Sequence, residues 1–232
     1  MSAEVIKNHF EDNYYTLLAG YVTGSLSEAE AMIVASHLTL KPDARRLVDQ
    51  MEAIGGSLLC HELTPESLSP GCFENVMKGL DINSHEKSSV ENDRNADEKY
   101  EGNTDFDFPV PEPVMRYIRS QKKTLKWKKV FKGLESCEIP LPSAQKTEFL
   151  KIAPGKGVPA HTHEGEEITL LLQGAFEDEI GRYEQGDLII VDERISHHPV
   201  SDPKVGCVCL SVTSAPIKMT GPLMRLLNPF LK

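Results

Sequence analysis

Four side chains of metal-ligand type limit what this chain can fold into. Three of them, His161, His163 and Glu167, lie in one segment bounded by Gly155 and Gly174, and His197 lies in a second segment. Segments this far apart can bind one metal ion only if the fold brings them together. Short strands that face a common interior would do so, and both segments carry glycines at turn-like positions.

The alternation of side chains along a strand selects among neighbouring candidates. Successive side chains point to opposite faces, so one strand running through positions 161 to 167 would place the first three ligands together and turn Glu166 away. A second strand that starts at the Gly186-Asp187 turn would present His197 and leave His198 outside. Glu166 and His198 are the alternative ligands.

Three imidazoles and one carboxylate suit a divalent transition metal, and this donor set alone does not choose which one. Zinc prefers four ligands, so four side chains would close its shell. Iron or manganese, with six ligands, would keep two positions open. A zinc site therefore favours a structural or sensing role, whereas iron or manganese favours oxygen chemistry.

The first 81 residues predict a small bundle of about four helices. Ser27 and Glu30 fit a capping box at the start of an apolar helical pattern. Pro42 suits a helix start, and Gly55-Gly56 is a natural stop. A further helix is expected after Thr64-Pro65. Such a bundle has little core of its own and is expected to need a partner for full stability.

The composition changes twice beyond the bundle. Residues 82–107 are rich in Ser, Asn, Asp, Glu and Lys, which predicts a flexible acidic linker. From residue 108 to 232, prolines and glycines punctuate short apolar segments, which indicates a sandwich or a barrel. The predicted architecture is a helical domain at 1–81, a linker at 82–107 and an all-β domain at 108–232.

Composition also restricts the setting and the partners. No apolar run approaches the roughly 20 residues that cross a bilayer, and the first residues lack a signal-peptide pattern, so we expect a cytoplasmic protein without a membrane partner. Five cysteines indicate no disulfide framework. A net charge of -10 argues against nucleic acid as the main partner. A basic cluster between Arg116 and Lys132 is interpreted as a solvated surface, with direct DNA binding as the alternative.

Cys207 and Cys209 share a strand face by the same alternation. Free cysteines of this kind are by default small buried hydrophobic residues. A redox-sensing pair is the alternative interpretation.

Several ordered motifs resemble the ChrR-type anti-sigma factors, which join a short helical zinc-binding domain to a cupin, a double-stranded β-helix of the jelly-roll type. The resemblance covers nearly the whole chain. The helical half matches at residues 19–28 (AGYVTGSLSE), 34–38 (VASHL) and 53–56 (AIGG). The β half matches at 161–163 (HTH), 167–170 (EITL), 178–179 (DE), 207–210 (CVCL) and 226–230 (LLNPF).

The resemblance implies a function for each half. The helical domain would bind an extracytoplasmic-function sigma factor and hide its polymerase-binding surfaces. The cupin would bind zinc through His161, His163, Glu167 and His197, and would be needed to release the sigma factor under stress, of which singlet oxygen is the family's known signal. No catalysis is implied. A metal-dependent cupin enzyme, such as a dioxygenase with iron or manganese, is the alternative function.

The chain departs from the family pattern in the first domain. The family's zinc ligands there are two histidines and a CxxC pair; His37 and His9 match the histidines, but Lys41 and Ala44 stand where the cysteines are expected. Asp43 would add at most one oxygen, which leaves the site incomplete. We therefore expect no tight structural zinc there, and we interpret His37 as a satisfied polar residue between helices.

Overall fold

The structure is a computed structural model that describes residues 3–85, 106–121 and 124–220. For residues 3–10 and 81–85 it describes the backbone alone. Most of the predicted linker and the motif at 226–230 therefore lie outside the described residues. Within those residues no helix is long and apolar enough to cross a membrane.

The described chain consists of helices followed by strands. The helices are α1 (Ala3–Thr23), α2 (Glu28–Leu40), α3 (Pro42–Glu62), α4 (Cys72–His85) and α5 (Glu112–Gln121). The strands are β1 (Trp127–Phe131), β2 (Leu134–Glu138), β3 (Lys146–Ile152), β4 (His161–His163), β5 (Glu167–Glu177), β6 (Arg182–Glu184), β7 (Leu188–Val191), β8 (Val200–Ser201), β9 (Cys207–Thr213) and β10 (Ile217–Met219). The predicted order of a helical half followed by a β half is confirmed, although α5 lies within residues 108–232, for which an all-β domain was predicted.

The start of α2 follows the sequence signals closely. The side chain of Ser27 accepts a hydrogen bond from the backbone N–H of Glu30, and the carboxylate of Glu30 accepts one from the backbone N–H of Ser27. This is the predicted capping box, and it is confirmed. Pro42 occupies the first turn of α3, where its missing N–H costs nothing.

The prediction that Gly55-Gly56 ends a helix is wrong, because α3 continues to Glu62. Neither glycine has a positive φ, so neither adopts the left-handed conformation that terminates helices. Good helix formers such as Leu58 and Leu59 follow them, and the helix continues despite a cost of about 1 kcal/mol for each glycine. The next helix then starts at Cys72, several residues beyond the predicted Thr64-Pro65 boundary.

The long strand β5 organises the barrel. Its first half lies between β9 and β7, with both pairings antiparallel, and its last residues pair with β6 and β8. The main sheet runs in the order β1-β2-β3-β9-β5-β6, and β4 pairs separately with β10. Glu167, the first residue of β5, thereby lies opposite Thr213 on β9 and Val191 on β7.

The two faces of the main sheet belong to different apolar clusters. The outer face belongs to one apolar cluster with the helices, in which Ile168, Leu170 and Leu210 pack with Leu18 and Ile33. The inner face forms a second cluster within the barrel, which includes Leu171, Ile189 and Cys209. The helical half therefore completes its core against the barrel.

Polar contacts join both ends of α2 to the barrel. At the amino end, Gln145 donates from Nε2 to Oε1 of Glu30 over 2.8 Å and accepts a hydrogen bond from Ser27. Just beyond the carboxyl end, Nζ of Lys41 lies 2.8 Å from Oδ1 of Asp187. Both ends of the helix are thus fixed in register on the sheet.

Candidate metal centre

The four predicted metal ligands converge in the interior of the barrel. Each of His161, His163, Glu167 and His197 offers one donor atom, and these atoms all lie within 4.8 Å of one another. All four residues are at most 9% exposed. No other group of three or more His, Cys, Asp or Glu side chains with this geometry occurs in the described part of the chain.

Backbone pairing brings the two segments together. His161 and His197 exchange backbone hydrogen bonds of 3.1 and 3.0 Å, an isolated bridge between β4 and the loop that follows β7. Thr162 adds side-chain hydrogen bonds to the carbonyl oxygens of Glu193 and Ile195. The loop that carries His197 is therefore held directly beside β4.

Two predictions about strands are wrong although the ligands they selected converge. No strand runs through positions 161 to 167, because bends at Glu164 and Gly165 separate β4 from β5. The strand after Gly186 ends at Val191, so His197 lies in a loop. The bend leads the chain from one sheet into the other. The alternation of side chains along a single strand does not predict such a change.

The alternative ligands do not join the group. His198 is exposed, and its backbone N–H binds the carboxylate of Glu179. Glu166 donates its backbone N–H to Ser214 at the surface, and its carboxylate is not among the converging atoms.

The hydrogen bonds of two rings fix their tautomers. Nδ1 of His161 lies 2.9 Å from the carbonyl oxygen of Pro159, and Nδ1 of His197 lies 3.2 Å from Oδ2 of Asp178. Each Nδ1 therefore carries the proton and leaves a lone pair on Nε2. For His163, Nδ1 is buried without a partner, so nothing beside that nitrogen fixes the tautomer.

The Nε2 atoms then face one another in a way that a cation would stabilise. Nε2 of His161 and Nε2 of His197 are 3.1 Å apart, and Nε2 of His163 is 3.4 Å from the latter and 3.0 Å from Oε2 of Glu167. Lone pairs at this distance repel unless a positive ion lies between them. The donor set of three nitrogens and one oxygen therefore fits a divalent transition metal.

The protonation states of the candidate ligands also favour a metal site. Burial and the neighbouring His197 lower the pKa of His161 to about 4, so this ring is neutral near pH 7. Burial alone would raise the pKa of Glu167, but the facing His163 and the other two imidazoles lower it below its usual value. Neutral imidazoles and an ionised carboxylate are the forms that bind metal.

Two residues that support the candidate metal ligands were not predicted from the sequence. Oγ of Ser211 donates to Oε1 of Glu167 over 2.8 Å, and Asp178 orients His197. Asp178 belongs to a family-like motif, but nothing in its spacing indicated this role. Ser211 lies on the neighbouring strand, where only the pairing register could reveal it.

Cys207 and Cys209 both lie on the inner face of β9 and are buried. Contact with Cys207 and burial raise the pKa of the Cys209 thiol. A raised pKa keeps a thiol protonated and lowers its reactivity near neutral pH.

Among the side chains that the structure describes, His37 belongs to no comparable group. His37 is buried; its Nε2 accepts from the Tyr14 hydroxyl over 3.0 Å and its Nδ1 donates to the carbonyl oxygen of Gly186 over 2.9 Å. His9 lies in α1, but its side chain is outside the described part. His37 thus contacts the barrel as well as a neighbouring helix, which the sequence did not predict.

Comparisons with known proteins agree with this architecture. A family model described as the ChrR cupin-like domain matches residues 116–216. The anti-sigma-E factor ChrR of Cereibacter sphaeroides is 34% identical over 227 residues, which are 98% of this chain and 99% of that protein. A chain in the crystal structure of Rhodobacter sphaeroides SigE in complex with the anti-sigma ChrR is similar with a TM-score of 0.66 and 30% identity, over 85% of this chain and 95% of that chain. The predicted cupin fold is confirmed.

Proposed function

Because this chain belongs to the ChrR family of anti-sigma factors, we propose that it binds an extracytoplasmic-function sigma factor through its helical half and withholds it from RNA polymerase. The family consists of regulators, and the role of the chain is regulatory and not enzymatic. The sigma-factor complex described for ChrR supports a partner of the same kind here. RNA polymerase resides in the cytoplasm, so this proposal also places the protein there.

An exposed apolar surface on α3 and α4 carries this proposal. On α4, Phe73, Val76, Met77 and Leu80 recur at helical spacing and are between 43% and 67% exposed. The end of α3 adds Leu58 and Leu59, at 57% and 62% exposed. Large apolar side chains exposed in this number are typical of an interaction site. We define Ile54, Leu58, Leu59, Phe73, Val76, Met77 and Leu80 as the α3–α4 surface.

The α2 helix is engaged elsewhere. Ile33 and Val34 of α2 are fully buried in the cluster that includes the outer face of the sheet. The α2 helix therefore holds the barrel, while the α3–α4 surface stays available. This division supports a sigma-factor interface on α3 and α4 and a separate contact for the regulatory half.

We further propose that the barrel binds zinc at the candidate metal centre and controls release under oxidative stress of the singlet-oxygen type. Zinc would supply a fixed positive charge that holds His161, His163, Glu167 and His197 together. Strand β5 provides a physical link, because Glu167 faces the centre while the adjacent Ile168 packs in the cluster shared with the helices. A rearrangement of the centre would therefore act on the strand that supports α2.

The test is inhibition of transcription. The purified chain is added to RNA polymerase with each extracytoplasmic-function sigma factor of the source organism in turn. We expect stoichiometric inhibition with one of them and co-purification of the two proteins. If the chain inhibits none of these sigma factors and co-purifies with none, the proposal is wrong.

A further inference from the structure

The barrel contains a partly open cavity of about 480 Å³ beside the candidate metal centre. Its wall is mostly apolar, with Leu134, Leu150, Ile152, Phe176 and Ile189 among the lining side chains. Protein interiors are otherwise close-packed, and this volume falls in the range of about 300–1,000 Å³ typical of sites for small organic ligands. We propose that the cavity binds a small, neutral, mostly apolar molecule that carries a hydroxyl group.

Glu148 supplies the polar anchor for this ligand. The residue lies on the inner face of β3, lines the cavity and is 7% exposed. Its Oε1 accepts a hydrogen bond from Nζ of Lys146 over 2.7 Å, whereas its Oε2 is buried and has no partner. Buried acceptors are nearly always satisfied, so a carboxylate oxygen left without a donor beside a cavity indicates that a ligand supplies one.

Charge selects the type of donor. The ammonium group of Lys146 already compensates the carboxylate of Glu148. A second cation therefore has little to gain, and a deprotonated anionic group has no hydrogen to donate to Oε2. A neutral hydroxyl group satisfies Oε2 without adding charge. The apolar wall accepts the remainder of the molecule.

The position of Glu148 also relates the ligand to the metal centre. Glu148 is paired across the sheet with Ser211, which donates to Glu167. His161, Glu167 and His197 themselves line the cavity. A molecule held by Glu148 therefore lies against the candidate metal ligands. Its use as a signal rests on the proposed function, but its binding does not.

The probes are 2-naphthol, which has a hydroxyl group on an apolar ring system of suitable size, and naphthalene, which lacks it. Their dissociation constants are measured on the full chain alone, without a sigma factor. We expect saturable binding of one 2-naphthol per chain, with an affinity about tenfold higher than that of naphthalene, as a hydrogen bond to a charged acceptor provides. Because no sigma factor is present, this result is independent of whether the chain is an anti-sigma factor.

Three variants locate the probe. Glu148→Leu should abolish the preference for 2-naphthol over naphthalene, whereas Thr147→Val should keep it. Thr147 is a matched control, because its hydroxyl is also buried without a partner but lies outside the cavity lining. Leu150→Trp should fill the cavity and weaken both probes at least tenfold.

Several results would overturn the inference. The wild-type chain could fail to bind 2-naphthol, or Glu148→Leu could retain the preference. Unchanged binding by Leu150→Trp would place the probe elsewhere, for example on the α3–α4 surface. If one of these variants does not fold by circular dichroism, the other one decides, since each tests the site separately.

Discussion

His37 donates a hydrogen bond from Nδ1 to the backbone carbonyl of Gly186 over 2.9 Å, and this contact ties the second helix to the turn that precedes β7. The turn requires glycine, because Gly186 has a φ of 87° and an added Cβ would meet the side chain of Lys41 at 2.8 Å. A position that resembles a zinc ligand of the family thus serves as a contact between the two halves.

Replacing His37 with alanine should lower the free energy of unfolding by about 1–3 kcal/mol, because the buried carbonyl of Gly186 and the hydroxyl of Tyr14 both lose their partner. Urea denaturation measures the change. His61→Ala is the matched control, since His61 is exposed and binds only within its own helix. Equal effects of the two substitutions would show that the contact with the barrel contributes nothing.

Because His37 is buried, we also expect the stability of the fold to depend on pH. Burial lowers the pKa of His37 in the folded chain, so at pH values above about 6.5 the ring is neutral in both states. Below that value the unfolded chain takes up a proton that the folded chain resists, and stability falls as the pH drops toward the lowered pKa. The wild type should therefore lose more stability than His37→Ala between neutral and mildly acidic pH. Parallel losses would contradict this, because other groups titrate equally in both proteins.

From the candidate metal centre we expect one tightly bound metal ion per chain. Elemental analysis of the purified protein measures this content. His163→Ala should lose it, because the ring supplies one of only four converging donors. His198→Ala should retain it, since that neighbouring side chain is exposed. If His163→Ala retains the ion as fully as His198→Ala does, the four converging side chains are not its ligands.

Loss of the metal centre should separate binding from response. His163→Ala should still inhibit the sigma factor, because the α3–α4 surface lies on other elements, but a sigma-dependent reporter should no longer respond to singlet oxygen. His198→Ala should respond like the wild type. A normal response from His163→Ala would show that the metal centre is not the sensor.

Local signals predicted the starts of α2 and α3 well, but they misplaced the start of α4 and predicted the paths between strands poorly. Ser27 and Glu30 determine the start of α2 through short-range hydrogen bonds, and Pro42 acts within one turn, so both could be read from the sequence. Glu167 could be selected, but the bend at Gly165 that places it in another sheet depends on long-range pairing with β9 and β7.

Contacts between distant residues were inaccessible for the same reason. Ser211 reaches Glu167 through the register of β9 on β5, and His37 reaches Gly186 because α2 packs on the outer face of the sheet. The role of Glu148 could not be predicted either, since its inward orientation follows from its pairing with Ser211. These positions carry no local pattern that distinguishes them from ordinary polar residues.

The most direct test of the proposed sigma-factor interface places a charge on the α3–α4 surface. The affinity of the sigma factor for this variant is then measured. Phe73→Asp should weaken binding at least tenfold, because a charge would be buried in an apolar contact. Val205→Asp, which changes an equally exposed apolar residue on the barrel, should bind like the wild type. If Phe73→Asp binds the sigma factor as tightly as Val205→Asp, the helices do not form the interface and the central claim is wrong.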